Sequence, residues 1–359
     1  MTIAPLDLHY KPVLPPRHDY GIGIVGCGGI VNYAHLPAYT AHRLNVLACY
    51  DIDQEAARRT AAAHNIPRVY STLDELLGDP AIQIVDIAVP AWEQRAIAER
   101  ALAAGKHLLC QKPLAENLED ARAIVEAGRR AGRKVAVNQQ MRWSAGIAAA
   151  RDLVQRGFIG QVTDAQIQVS TSTPWHMWPW LRESARLDVM YHSIHYIDSM
   201  RSILGDPEWV TSRHTKFPGQ LERAETKTVT VLDYPSGLQA LIAVNHHDDS
   251  GDHYAIFRFL GTEGVIKGTI GLLYNYPHGR PDTLQCHSTR VAPEAWFDIQ
   301  LEGLWIPDAF IGPMASLMEA IQTDTAPATD AADNIETLRV VHAAYRSAAE
   351  HRSVRPEEL

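Results

Sequence analysis

Cysteine is scarce in this chain of 359 residues, with only four, at positions 27, 49, 110 and 286. Their spacing matches neither a disulfide framework nor a zinc site. Scattered cysteines of this kind are typical of proteins from a reducing compartment. The first twenty residues also lack the apolar core of a signal peptide. We therefore expect a cytoplasmic protein.

Long apolar runs and runs of basic residues are absent as well. No stretch approaches the roughly 20 apolar residues that a membrane-spanning helix needs. The net charge is −9, with no cluster of Lys and Arg, which argues against nucleic acid or an anionic membrane as a partner. The 46% hydrophobic content is ordinary for a globular protein, and the length predicts two domains.

Glycine, in contrast, is concentrated near the N-terminus, in the stretch 21–31 (GIGIVGCGGIV). An apolar strand at 22–25 leads into Gly26 and Gly28, and a short helix is predicted from residue 30 to residue 40. Glycines permit a tight turn and a close approach of the backbone, and the helix directs N–H groups at a phosphate. The pattern predicts a site for a dinucleotide's pyrophosphate, although Val31 stands where the fingerprint has Gly or Ala.

An acidic residue follows at the distance that such a site requires. The predicted strand 46–50 ends at Asp51, whose carboxylate is placed to accept hydrogen bonds from the adenosine ribose. A carboxylate also repels a 2′-phosphate, and the Asp51-Ile52-Asp53 segment has no Arg or Lys to receive one. We therefore predict NAD rather than NADP. The alternative is that Asp51 is only the N-cap of a helix starting near Gln54.

The alternation of strands and helices continues regularly through the first third of the chain. Thr72 and Glu75 form a predicted capping box, and Asn117 a predicted N-cap. Strands separated by helices of 10 to 15 residues imply a parallel, doubly wound sheet. The further predicted elements are strands at 84–89, 107–110 and 134–137 and helices at 92–104 and from 118. We predict an arm at 1–19 and a dinucleotide-binding domain at 20–142.

The second half has the period-2 alternation of a different kind of sheet. Its predicted strands lie at 162–170, 226–233, 238–245, 254–260 and 264–269, and they indicate a largely antiparallel sheet with one open face. A helical stretch at 187–204 interrupts them, and an amphipathic helix spans 332–350. We predict a substrate-binding and oligomerisation domain at 143–330 and a C-terminal helix and tail at 331–359. An uncovered sheet face is suited to a subunit partner.

The order of these elements, together with the segment 105–113 (GKHLLCQKP), resembles the glucose-fructose oxidoreductase / inositol dehydrogenase family (Gfo/Idh/MocA). Further pieces of the resemblance are Pro90, the helix end at 203–207 (ILGDP) and the turn at 261–264 (GTEG). The resemblance implies a Rossmann domain followed by an open-faced α/β domain. It also implies oxidation or reduction of one carbon of a sugar or cyclitol, and a homodimer or homotetramer.

The resemblance implies two catalytic residues, Lys112 from a Glu-Lys-Pro-like motif and His195 from a helical motif. A dehydrogenase needs a base that titrates near neutral pH and a cation that stabilises the developing alkoxide, and these residues supply that pair. The chain departs from the family pattern at four nearby positions, which are Gln94, Gln111, Tyr191 and Ser193. The absence of the family's acids at 111 and 191 leaves its usual proton relay unsupported.

The expected binding residues form two sets. Aromatic rings pack well against sugars, and tryptophans cluster at 175–180. The expected cofactor contacts are Gly26, Gly28, Gly29, Ile30, Asp51, Ile52, Pro90, Gln94, Gln111 and Lys112. The expected substrate contacts are Arg142, Trp143, Trp175, Trp180, Tyr191 and His192. Ordinary packing is the alternative for the tryptophans and for His192.

Metal ligation is the less favoured interpretation of the histidines. His192 and His195 are three residues apart on a predicted helix, so they share a face. The segment 245–249 (NHHDD) and His253 add further possible ligands. Adjacent histidines on a strand point to opposite faces, however. We therefore predict no metal, and a surface turn at 245–249.

The sequence thus predicts an NAD-dependent dehydrogenase that oxidises a secondary hydroxyl of a sugar, polyol or glycoside. Two alternatives stay open. The first is an enzyme that retains NAD and oxidises the sugar ring transiently, for elimination, hydrolysis or epimerisation. The second is a regulator that binds NAD and a sugar without catalysis.

Overall fold

The computed structural model of the protein describes residues 7–359 and contains two sheets. The strands are β1 (Ile22–Val25), β2 (Val46–Tyr50), β3 (Arg68–Val69), β4 (Ile84–Ile87), β5 (His107–Cys110), β6 (Val135–Val137), β7 (Val162–Ser170), β8 (Trp209–Thr215), β9 (Lys227–Asp233), β10 (Gln239–Asn245), β11 (Tyr254–Gly261), β12 (Gly264–Thr269), β13 (Leu284–Ser288) and β14 (Ala292–Ile299). The α-helices are α1 (Leu36–Ala41), α2 (Gln54–His64), α3 (Leu73–Gly78), α4 (Ala91–Ala103), α5 (Leu118–Ala131), α6 (Ala145–Gln155), α7 (Pro179–Arg182), α8 (Ile194–Leu204), α9 (Ile311–Thr323) and α10 (Ala331–Glu350).

One compact unit comprises residues 12–140 and 306–335. Its six strands are all parallel, in the order β3-β2-β1-β4-β5-β6. The central strands β1 and β4 are buried along their whole length, as expected for a parallel sheet covered on both faces. The predicted doubly wound sheet is confirmed.

Local signals fixed the helix starts of this unit. Thr72 and Glu75 form the predicted capping box at α3, in which each side chain bonds the other's backbone N–H. The side chain of Asn117 accepts a hydrogen bond from Asp120 N at 2.8 Å and caps α5. These contacts satisfy N–H groups that the first helical turn leaves unpaired.

The other unit comprises described residues 7–11, 141–305 and 336–359. Its eight strands have the order β14-β13-β12-β11-β7-β10-β9-β8. Only the β7–β10 pair is parallel, so the sheet is mostly antiparallel, as predicted. Strands β8, β13 and β14 and helix α6 of this unit were not predicted, and neither was α9 of the other unit.

The boundaries of the two units differ from those of the four predicted segments. The segment 306–335 belongs with the parallel sheet, because α9 packs against β5 and β6. The sequence alone does not show that the chain returns to the parallel sheet here, since the contact joins segments almost 200 residues apart. The predicted arm at 1–19 divides at Lys11 and Pro12, and its first six residues lie outside the described part. Within residues 7–359, no helix has the length and apolar character to cross a membrane.

Candidate active site

The glycine-rich turn after β1 has the geometry that a pyrophosphate needs. Gly26 has φ +94°, and a Cβ there would lie 2.5 Å from the carbonyl oxygen of Ala88, so a side chain is excluded. Gly28 is exposed, and a Cβ added to it would meet nothing within 4 Å. The next residues, exposed Gly29 and half-buried Ile30, lead into a π-helical turn at Val31–His35. A bare loop followed by a helix start fits a dinucleotide's phosphates.

Asp51 is hydrogen-bonded to the glycine-rich turn. Its Oδ2 accepts a hydrogen bond from Cys27 N at 2.6 Å, and its Oδ1 accepts one from Asp53 N at 2.8 Å. The N-cap of α2 is Asp53, whose side chain accepts from the backbone N–H groups of Glu55 and Ala56. The alternative that Asp51 caps this helix is therefore wrong. Asp51 stays half-buried at the carboxyl end of β2, beside Ile52, which is 89% exposed.

Lys112 lies just beyond β5, on the same carboxyl edge of the sheet. Its bond to Pro113 is cis. Burial lowers the pKa of the Lys112 ammonium to about 8. A lysine so desolvated is poised to exchange or hold a proton in the physiological range.

Two glutamines shape the segment that carries Lys112. Gln94, which is fully buried in α4, donates from its amide nitrogen to the carbonyl oxygens of Gln111 and Pro113 at 2.8 and 2.7 Å. Oε1 of Gln111 accepts from Lys112 N at 2.9 Å. Gln94 thus supports the backbone of the segment that carries Lys112. Pro90, which is exposed, directly precedes α4.

A buried polar network beneath this edge was not predicted. The Asp86 carboxylate Oδ2 lies 2.7 Å from His35 Nδ1 and accepts the Tyr39 hydroxyl at 2.7 Å. His35 Nε2 lies 3.1 Å from Asn138 Nδ2. His35, Tyr39 and Asp86 are inaccessible to solvent. The one signal in the sequence is a charged residue at 86 inside an otherwise apolar strand, which requires a buried partner.

In the second unit, His195 is the second residue of α8 and is 6% exposed. Its ring lies perpendicular to that of Trp305, with centroids 5.3 Å apart and planes at 90°. The predicted helical stretch is confirmed from Ile194 onward. Asp188–His192, which end two residues before Ile194, form a π-helical turn, a feature frequent at functional sites.

Beside this turn lies a cluster of Asp188, His192 and His246. Oδ1 of Asp188 is 2.8 Å from His246 Nε2 and 3.8 Å from His192 Nδ1. Burial opposes ionisation of Asp188, but hydrogen bonds and charges from His246, with help from His192, lower its pKa to about 2. His246 is 1% exposed, so the prediction that 245–249 is a surface turn is wrong at this residue. The four-residue spacing of Asp188 and His192 could have indicated that these two side chains lie close together. Nothing in the sequence indicated that His246 joins them.

Arg142 forms a buried fork with a carboxylate. Its Nε and Nη2 donate to the two oxygens of Asp198 at 2.6 and 2.7 Å, and Thr337 also donates to Asp198 at 2.9 Å. Only 9% of the Arg142 side chain is exposed. The charge of Arg142 is thus matched within its own unit, which favours a structural role over the predicted substrate contact.

The predicted aromatic substrate residues divide by exposure. Trp175 is 5% exposed and packs edge-on against His246, with centroids 4.9 Å apart. Trp180 is 41% exposed and meets buried Tyr191, with centroids 5.2 Å apart. Trp143 is half-buried. Trp180 therefore presents the most accessible ring of the predicted set.

Comparison with known proteins agrees with this arrangement. The model of an oxidoreductase family with an NAD-binding Rossmann fold (GFO/IDH/MocA) matches residues 20–139, and the GFO/IDH/MocA C-terminal domain model matches residues 147–267. D-apiose dehydrogenase of Paraburkholderia graminis is 27% identical over 343 residues, 94% of this chain and 89% of that protein.

Two further similarities extend the comparison. The 1,5-anhydro-D-fructose reductase of Ensifer adhaerens is 29% identical over 253 residues, 68% of this chain and 74% of that protein. An oxidoreductase from Agrobacterium radiobacter, solved in complex with NAD+, L-tartaric acid and magnesium, shares the fold with a TM-score of 0.84. It is 24% identical and covers 95% of this chain and 99% of its own.

Proposed function

Because the chain belongs to the Gfo/Idh/MocA oxidoreductase family, we propose that it oxidises a secondary hydroxyl group of a sugar, polyol or glycoside to a ketone with NAD. The named relatives support the carbohydrate class, since they include D-apiose dehydrogenase and 1,5-anhydro-D-fructose reductase. Membership of an oxidoreductase family, with both of its domain models matched, favours an enzyme over a regulator.

One structural observation carries the proposal. The Gly26 turn, Asp51 and Lys112 follow β1, β2 and β5 at the same carboxyl edge of the parallel sheet. Ligands of such sheets bind at this edge, where the strand order reverses between β1 and β4. The bare Gly28 backbone and the half-buried Asp51 carboxylate fit the pyrophosphate and the ribose. We assign NAD rather than NADP on the charge of Asp51.

The reaction assigns different tasks to the two candidate catalytic residues. NAD, when bound, accepts a hydride from the substrate carbon. His195 takes the hydroxyl proton in oxidation and returns it in reduction, because imidazole titrates near neutral pH. The ammonium of Lys112 stabilises the negative charge that develops on the substrate oxygen.

Substrate selection falls to the second unit. We assign the partly exposed ring of Trp180, which lies nearly perpendicular to the ring of Tyr191, to stacking on the C–H groups of a sugar ring. Half-buried Trp143 is the other predicted aromatic substrate contact with some exposed surface. Buried Trp175 packs against His246 and acts indirectly.

We further propose a homodimer or homotetramer formed through the open face of the larger sheet. Val229 on β9 and Ile256 on β11 are 42% and 38% exposed and lie in one row across the sheet, through Ala243 and Gln168. Exposed apolar side chains on an uncovered sheet face are suited to a subunit contact. The four cysteines, all buried and free, support a reducing compartment such as the cytoplasm.

The function is tested by screening monosaccharides, inositols and glycosides for NADH formation, with NADP as the cofactor control. Lys112→Met and His195→Asn are expected to lower kcat at least 100-fold, the scale of a lost acid–base or charge-stabilising group. NAD affinity is expected to survive His195→Asn, and His287→Asn on β13 serves as the matched control.

The outcomes separate the hypotheses. Accumulating NADH supports the dehydrogenase, and sugar turnover without NADH supports the retained-cofactor enzyme. Binding of NAD and sugar without any turnover indicates the regulator. Full activity of His195→Asn contradicts its assigned role.

A further inference from the structure

The cluster of Asp188, His192 and His246 has a composition and geometry that the hydride-transfer chemistry does not use. One donor atom from each residue lies within 4.8 Å of the others. The rings of His192 and His246 stand at 89° with centroids 4.4 Å apart. Two imidazoles and a carboxylate are thus directed at one small volume, although they come from a helical turn and from the end of a strand.

We propose that Asp188, His192 and His246 bind one divalent transition-metal ion of the Zn²⁺ class. Two imidazole nitrogens and one carboxylate oxygen are a donor set that such ions prefer, whereas Mg²⁺ and Ca²⁺ favour oxygen ligands. Three protein ligands leave one position of a tetrahedral site for water or a substrate hydroxyl. The proposal stands independently of the proposed dehydrogenase activity.

The surroundings resemble the outer shell of a metal site. His246 Nδ1 lies 2.8 Å from the hydroxyl of Thr173, so the ring is oriented with Nε2 towards Asp188. Ser193 donates to both oxygens of Asp188 at 2.8 and 3.0 Å, and Thr228 also donates to Oδ2. Hydrogen bonds of this kind fix the orientation and basicity of metal ligands.

The burial and charge of the cluster also support a metal site. Asp188 and His246 are sealed from solvent, whereas 20% of the His192 side chain is exposed and provides an approach for an ion. A second carboxylate is close by, because Glu225 accepts hydrogen bonds from the backbone of Leu187 and Val189, on either side of Asp188. Glu225 is already engaged, because the Tyr345 hydroxyl also donates to it, so Asp188 is the carboxylate that faces the two imidazoles.

The chain positions explain how the ligands meet. Asp188 and His192 bracket a π-helical turn, and His246 directly follows β10. The next residue, His247, points elsewhere, with its Nε2 3.3 Å from Glu222 and its ring stacked on Phe217. His247 is therefore a matched control in the same tract.

The test uses the full chain, stripped with a chelator and titrated with Co²⁺ as a spectroscopic probe, then with Zn²⁺ in competition. We expect one Co²⁺ per chain, with the intense visible bands of a four- or five-coordinate site, displaced by Zn²⁺. His192→Asn and Asp188→Asn should weaken binding by about 100-fold or more, since changes in the outer shell alone cost 10- to 100-fold. His247→Asn should bind like the wild type.

Thr173→Val adds a variant that leaves all three ligands in place, and it should weaken Co²⁺ binding about tenfold. Circular dichroism of each apo variant verifies folding. The proposal is overturned if the wild type gives only the weak spectrum of aqueous Co²⁺. It is equally overturned if folded His192→Asn binds as tightly as the wild type, in which case the cluster is a hydrogen-bonded Asp188–His246 pair.

Discussion

The backbone N–H of Cys27 donates a hydrogen bond to Oδ2 of Asp51 over 2.6 Å. This contact ties the glycine-rich turn to the carboxyl end of the neighbouring strand β2. One carboxylate thereby holds the glycine-rich turn in place, and under our proposal its remaining acceptor capacity serves the ribose of NAD. Asp51 consequently influences both halves of the proposed NAD site.

Replacing Asp51 with Ser should shift the cofactor preference towards NADP. The loss of a charge-assisted hydrogen bond, worth about 1.5–3 kcal/mol, should lower kcat/KM with NAD by about 10- to 100-fold. Removing the negative charge should raise kcat/KM with NADP. Steady-state kinetics with both cofactors measure the ratio. Asp53→Asn retains the helix cap and should leave that ratio unaltered, and an unaltered ratio in Asp51→Ser contradicts the assignment.

The pH dependence of the reaction should contain the titration of Lys112. Its pKa is lowered to about 8 by burial, so the ammonium predominates below that pH and is lost above it. If the charge stabilises the substrate oxygen, kcat/KM should fall as pH rises through about 8.

Lys112→Arg provides the control for this profile, because a guanidinium stays protonated over the whole range. The variant should be slower, but its descending limb near pH 8 should disappear. A limb that persists unchanged in Lys112→Arg assigns the titration to another group.

Asp86→Ala should destabilise the protein strongly. The change leaves His35 and the Tyr39 hydroxyl buried without their shared acceptor. Each of the two unsatisfied buried groups costs about 1–3 kcal/mol, which predicts a loss of about 2–6 kcal/mol in the free energy of unfolding. Urea denaturation monitored by circular dichroism measures it. Asp74→Ala removes an exposed ion pair with Arg100 and should barely move the urea midpoint.

Arg142→Lys separates a structural role from a substrate contact. Lysine cannot reproduce the bidentate fork on Asp198, so the free energy of unfolding should fall by about 2 kcal/mol, on the scale of a lost charge-assisted hydrogen bond. The KM for the sugar should change little. Asp198→Asn should have the same effect on stability. Unchanged stability with a raised KM would instead support the predicted substrate contact.

Much of the first unit could be predicted because its signals are local. The apolar runs at β1 and β4, the capping box at Thr72 and the glycine turn each depend on neighbouring residues. The second unit was harder, and β8, β13 and β14 were missed. Strand β13 has only five residues, three of them polar, and β8 and β14 partly expose large residues such as Trp209 and Trp296, so none of the three forms a long apolar alternation.

The candidate site divides in the same way. Asp51 could be placed from its position after a predicted strand, whereas Lys112 was assigned through the motif that resembles the family's Glu-Lys-Pro. His246 was misplaced on the surface, because its burial depends on Asp188, 58 residues earlier in the chain. The fork between Arg142 and Asp198 likewise joins residues 56 apart. No periodicity encodes such pairs.

By itself, the sequence determined the NAD-type Rossmann fold, the family and the identities of the residues at the carboxyl edge of the parallel sheet. Backbone requirements at Gly26 and hydrophobic periodicity involve only a few neighbouring residues, so they can be recognised in the sequence. Tertiary structure alone decided which polar side chains are buried together, namely His35 with Asp86, Arg142 with Asp198 and His246 with Asp188. Burying a polar group is costly without a partner, and that partner is chosen by the fold rather than by proximity in sequence.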